Sequence, residues 1–128
     1  QHETFGDFLR ALVRERLEFA RRHQKHLRIL LQELPLNEEL RNRMMKMLQA
    51  ELFPVMQQKI LHYQKTGELR AMPSEQMLSL IIPQILGFVL GRAVLGLQFG
   101  TGDEADLDML IEVMLQGLHA PNVRGQKR

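Results

Sequence analysis

Apolar residues fall at Phe5, Phe8, Leu9, Leu12, Val13, Leu17 and Ala20, the i, i+3, i+4, i+7 recurrence of one face of a 3.6-residue helix. This spacing predicts a first amphipathic helix over residues 4–21. Arg10, Arg14, Glu18 and Arg22 step by four along the other side, a solvated charged face on which Glu18 can pair with either neighbour. Leu27, Leu30, Leu31 and Leu34 mark a short second helix that ends at Pro35, because proline disfavours helical angles in the residue before it. Asn37 then stands as an N-cap, with Glu38 and Glu39 in the first turn of the next helix, where the positive end of the macrodipole favours carboxylates. That third helix carries Leu40, Met44, Met47, Leu48, Leu52, Val55, Met56, Ile60 and Tyr63 and stops at Gly67. Pro54 inside it predicts a kink, since its ring crowds the carbonyl four residues back and it has no N–H to donate.

Pro73 and Ser74 open a fourth helix, apolar nearly all round, that the pattern carries from Met77 to about Phe99. Such a helix is roughly 40 Å long, more than a domain of this size can bury, so its flanks call for a partner. Thr101-Gly102-Asp103-Glu104 has the form of a capping box. The last helix shows Leu107, Leu110, Ile111, Met114, Leu115 and Leu118 at helical spacing and stops near Gly117 to Pro121, ahead of a basic, flexible tail over 122–128. No strand-like alternation and no internal repeat is present. The predicted fold is all-α, a five-helix antiparallel bundle-like domain over residues 1–121.

With 128 residues and 45% hydrophobic content, one domain with its own core is expected. The absence of Cys excludes disulfides, thiolate zinc sites and thiol catalysis, and it suits a reducing cytoplasm. The net charge of +2 is unevenly laid out: residues 1–70 hold 13 Lys/Arg against 9 Asp/Glu, and residues 71–121 hold Arg92 against 6 acids. This is no concentrated basic stripe, so these residues are not expected to contact DNA themselves. The chain opens at Gln1 directly into an amphipathic pattern, with no secretory signal, and is expected to be part of a longer protein.

Catalysis needs convergent polar groups, and the spacing offers none. His23 and His26 could share a helix face as metal ligands, but Arg21, Arg22, Lys25 and Arg28 surround them and repel a divalent cation. No His follows a Glu by three residues, as an inward-facing di-iron pair requires. Ser74 and Ser79 stand in no nucleophile-elbow setting, and there is no phosphate loop. Asp103, Glu104, Asp106 and Asp108 complement the helix dipole and lack the layout of a calcium loop. No enzyme activity, metal or cofactor is expected. The stretch Met77–Phe99 is long enough for a bilayer, but Arg92 within it costs about 2.5–3.5 kcal/mol on insertion scales, and Pro83 and Gln84 add to the cost, so no membrane span is expected.

Gly87 and Gly91 form a small-xxx-small pair, which lets helix backbones approach closely. Together with the surplus apolar surface, this makes Gly87, Gly91, Leu95, Leu107, Leu110, Ile111, Met114 and Leu118 candidates for a homodimer interface, in the large class of about 2,000 Å² or more. A second set, Phe8, Leu12, Met44, Met47, Leu48, Met56, Ile82, Leu86 and Val89, would converge if the third and fourth helices pack over the first. Unbranched, polarizable Met side chains adapt to irregular ligands. The set favours a hydrophobic or amphipathic small molecule over an anion, because no Lys or Arg other than Arg92 falls on the predicted inner stripes.

The order of these elements resembles the C-terminal domain of the TetR/AcrR family of transcriptional regulators over about residues 4–119. The resemblance is carried by the Phe-rich first helix, the long helix after Asn37-Glu38-Glu39-Leu40-Arg41, the Gly67-Glu68-Leu69-Arg70 turn with Pro73 beyond it, and a last helix ending in Gln116-Gly117-Leu118. It implies an effector-sensing and dimerisation domain of a repressor, with a four-helix dimer interface made by the last two helices and their mates. It also implies a pocket enclosed by the earlier helices and an N-terminal helix-turn-helix absent from this chain, through which alone DNA would be bound. The alternative is a dimeric helical adaptor with a filled core and no ligand.

Overall fold

The computed structural model describes residues 4–98 and 100–120; Phe99 and the tail over 122–128 lie outside the described residues. The elements are α1 (Phe5–Arg22), α2 (Gln24–Glu33), a 3₁₀ turn (Leu34–Leu36), α3 (Glu38–Met47), a π-helical turn (Leu48–Leu52), α4 (Phe53–Lys65), α5 (Ser74–Ala93) and α6 (Asp103–Leu118). Because α3, the π turn and α4 run on without a break, the chain forms five rods in an all-α bundle.

Helix α1 begins where Thr4 Oγ1 accepts the Asp7 amide at 3.0 Å and lies at the centre, packed along both α5 and α6. Its apolar stripe is buried from Phe5 to Ala20. Met56, Ile60 and Tyr63 of α4, Met77, Ile81, Ile85 and Val89 of α5 and Leu107, Ile111, Met114 and Leu118 of α6 complete one core. Helices α2 and α3 are different: neither buries a residue fully, and they form an arm beside the bundle. Asn37 caps α3 as predicted, its Oδ1 accepting the Leu40 amide at 3.0 Å.

Three elements depart from the periodic pattern. The helix through Pro54 passes the proline by widening: the Phe53 amide donates to the Leu48 carbonyl, five residues back, and Pro54 enters α4 in its first turn, where its missing N–H matters least. Helix α5 stops at Ala93 rather than Phe99. The Leu95 amide turns back to Leu90 O at 2.9 Å and the Leu97 amide to Gly91 O at 2.8 Å, with Gly96 at φ +70°, a conformation open to glycine. At 20 residues the helix is about 30 Å long. Helix α6 has Gly102, not Thr101, as its N-cap residue, because the amides of Thr101 and Gly102 are taken by the carboxylate of Asp106 while Glu104 pairs with Arg14.

By length and composition α5 could cross a membrane. In the fold it packs against α1 and α4 with Met77, Leu78, Ile81, Ile85, Val89, Gly91 and Ala93 buried, while Leu80 and Leu86 on its other sides are exposed.

Candidate functional site

Between α1, α2, the π turn and α5 runs an apolar groove with a cavity volume of about 150 Å³. Helix α1 contributes Leu12, Arg16, Phe19 and Ala20, which recur at helical spacing and so share one face. Leu27 of α2, Leu52 of the π turn, Met56 of α4, and Ile82, Ile85, Leu86, Val89 and Leu90 of α5 form the remaining walls. Met56, Ala20, Ile85 and Val89 are buried; Phe19 and Leu86, at 38% and 42% exposure, stand at the edges. The π turn matters here because one extra residue per turn shifts the helix register, and Leu52 at its end reaches the groove.

Among the described residues, Arg16 carries the only charge on these walls. Its guanidinium carbon sits 4.9 Å from the centre of the Phe19 ring, and its Nη2 meets Glu15 Oε2 at 3.1 Å. On the far side of α1, Arg10 pairs with Asp108 at 2.9 Å and Arg14 with Glu104 at 2.8 Å; Arg21 binds Asp103. The arginine side of α1 is therefore the seam with α6, not a purely solvated face, and among the described residues Glu18 enters no salt bridge. A wider, polar depression of about 430 Å³ at the α5–α6 corner contains Arg21, Arg92 and Asp103. Its arginines are already engaged: Arg92 contacts Asp103 at 3.3 Å and Asp106 at 2.8 Å, so it holds no uncompensated charge for an anion. The amides of Thr101 and Gly102, with Arg92, hold the Asp106 carboxyl down to about 2.

Of the nine candidate ligand residues, Leu12, Met56, Ile82, Leu86 and Val89 come together on the groove. Phe8 does not line it: it packs in the core against Phe5, ring centres 5.9 Å apart, with Lys59 Nζ 5.3 Å from its ring. Met44 and Met47 lie on the arm, with Met47 half exposed, and Leu48 opens the π turn without lining the groove. The reason is geometric: the π turn separates their register from that of Met56, and an apolar pattern read as one stripe is in fact two. Arg16, Phe19, Ala20, Leu27, Leu52, Ile85 and Leu90 were not among the candidates. Arg16, Phe19 and Ala20 follow Leu12 at i+4, i+7 and i+8, which was the available signal.

The candidate interface set divides too. Leu107, Ile111, Met114 and Leu118 face inward into the chain's own core, since Gly6 lets α6 come close to α1: a Cβ there would stand 2.9 Å from Leu115 Cδ1. Gly91 is buried, with Leu97 Cδ1 3.3 Å from where its Cβ would be. Leu110 is half-buried, while Gly87 and Leu95 are exposed. The exposed apolar residues of α5 and α6 include Leu80, Met109 and Val113.

The Gly67-Glu68-Leu69-Arg70 turn and the end of α6 meet. The Arg70 amide donates to Leu118 O at 2.8 Å, the Ala120 amide to Glu68 O at 3.1 Å, and Arg70 Nη1 to Gly117 O at 3.0 Å. Glu68 also reaches the start of α1, accepting the Phe5 amide at 3.1 and 3.2 Å. Among the described residues no group of three or more His, Asp or Glu converges as a metal site. Comparison with protein-family models, curated proteins and solved structures finds no match.

Proposed function

We propose that this chain is the effector-sensing and dimerisation domain of a cytoplasmic transcriptional regulator of the TetR type, without catalytic activity of its own. The observation that carries this reading is the apolar groove along α1. Its walls come from four separate parts of the chain, so an occupant changes how α1 sits against α5 and the π turn. A DNA-reading head preceding α1 would feel that change through the first turn of the helix, which Glu68 ties to the α4–α5 loop and thence to α6. The dimer would use the outward residues of α5 and α6, Leu80, Met109 and Val113, in place of those that fill the core. A filled adaptor core is the less favoured reading because Leu12, Ile82 and Leu90, partly buried against the core, line an open groove rather than being fully packed.

The test is thermal denaturation, followed by circular dichroism, with a panel of apolar and amphipathic compounds. At least one should raise the Tm of the wild-type chain, by the linkage between ligand binding and folding, and should not raise that of Leu86→Trp, which fills the groove from its edge. No shift with any compound would favour the adaptor.

A further inference from the structure

An apolar groove with a single charged wall residue selects its occupant by shape and by sign. A volume of about 150 Å³ is the size of cavity that takes one benzene ring, and it suits an alkyl chain or a single ring. Arg16 is the charge at its side. Phe19 holds one face of the guanidinium at 4.9 Å, which leaves its N–H edge for hydrogen bonding, and that forked edge matches a carboxylate. The competing group is Glu15, at 3.1 Å from one nitrogen. It is a surface pair between chain neighbours, with side chains 45% and 65% exposed, and such pairs contribute little. Among the described residues no acid lines the groove.

We infer that the groove takes a single-chain amphiphile with an anionic end, a medium-chain alkyl carboxylate, its chain over Leu12, Met56 and Val89 and its carboxylate on Arg16. This names the ligand class for the effector site proposed above and rests on that reading. It keeps the expected amphipathic ligand but departs from the expectation that the set disfavours an anion, because Arg16 lines the groove with Leu12 and Phe19.

The experiment titrates octanoate, octanol and octyltrimethylammonium into the chain labelled with ¹³C-methyl methionine, following the Met56 resonance, assigned through Met56→Leu. Octanoate should bind about tenfold more tightly than octanol, and octyltrimethylammonium most weakly. Arg16→Gln should abolish the preference for octanoate while leaving octanol unchanged, and Arg16→Lys, which keeps the charge, should retain most of it. Equal affinity for octanoate and octanol in the wild type, or a preference that survives Arg16→Gln, overturns the assignment of the anionic end while the groove stands. If no compound moves Met56, the groove itself is not the effector site and both readings fall.

Discussion

Asp106 Oδ2 lies 2.8 Å from Arg92 Nη2, joining the first turn of α6 to the last turn of α5 across the α5–α6 connection. The same carboxylate accepts the Thr101 amide at 3.1 and 3.2 Å and the Gly102 amide at 3.3 Å. One side chain thus satisfies the amides that precede the helix and neutralises a guanidinium that also rests 4.6 Å from the Phe88 ring.

This arrangement has a pH signature. Asp106 titrates at about 2 in the folded chain against a reference of 3.8, chiefly because of the Thr101 backbone hydrogen bond. A depressed carboxylate contributes stability that is complete above its unfolded pKa and is lost as pH falls through its folded one. Asp106→Asn should therefore lower the Tm at pH 7, and the gap from wild type should close between about pH 4 and pH 2. A gap that persists unchanged at pH 2 would mean that the carboxylate is not the source.

Glu68 caps α1 from 63 residues away. Glu68→Ala should cost about 1 kcal/mol, as the loss of a helix cap does, measured by urea denaturation. Thr4→Ala, which removes the local cap at Asp7, should cost a similar amount, and the double variant should approach the sum if the two caps act independently.

Met56 and Met47 were equal candidates by their spacing. Met56 is 1% exposed and Met47 50% exposed. Met56→Ala should destabilise by about 2–5 kcal/mol, as cavity-forming substitutions in a core do, whereas Met47→Ala should stay within about 0.5 kcal/mol. Comparable losses in urea denaturation would contradict the placement of the arm outside the core.

The two sides of α6 give the fourth prediction. Ile111 is fully buried and Val113 is 62% exposed. Val113→Lys should shift a dimer toward monomer in sedimentation velocity while leaving the helical signal intact, because it places a charge on the outward apolar side. Ile111→Ala should lower the Tm directly, by the cavity it leaves. A Val113→Lys chain that sediments like the wild type would remove this side of α6 from the interface.

Helix positions apart from the end of α5 and the cap of α6, the Asn37 cap, the turn at Gly67 and the all-α class were legible from residue order, because helical periodicity and capping are local properties that survive without tertiary context. Which side of each helix faces what was not. Leu107, Ile111, Met114 and Leu118 look equally suited to a core and to a dimer seam, and the close approach at Gly6 assigned them to the core. Met44 and Met47 continue the period of Met56, but the π turn breaks the shared face. Arg14 and Arg16 differ by two positions on α1: one became a strut to Glu104, the other the charge on an apolar groove. Periodicity states that a residue faces one way or another; only the packing of distant segments, whose register depends on a single widened turn and a glycine crossing, states what stands opposite.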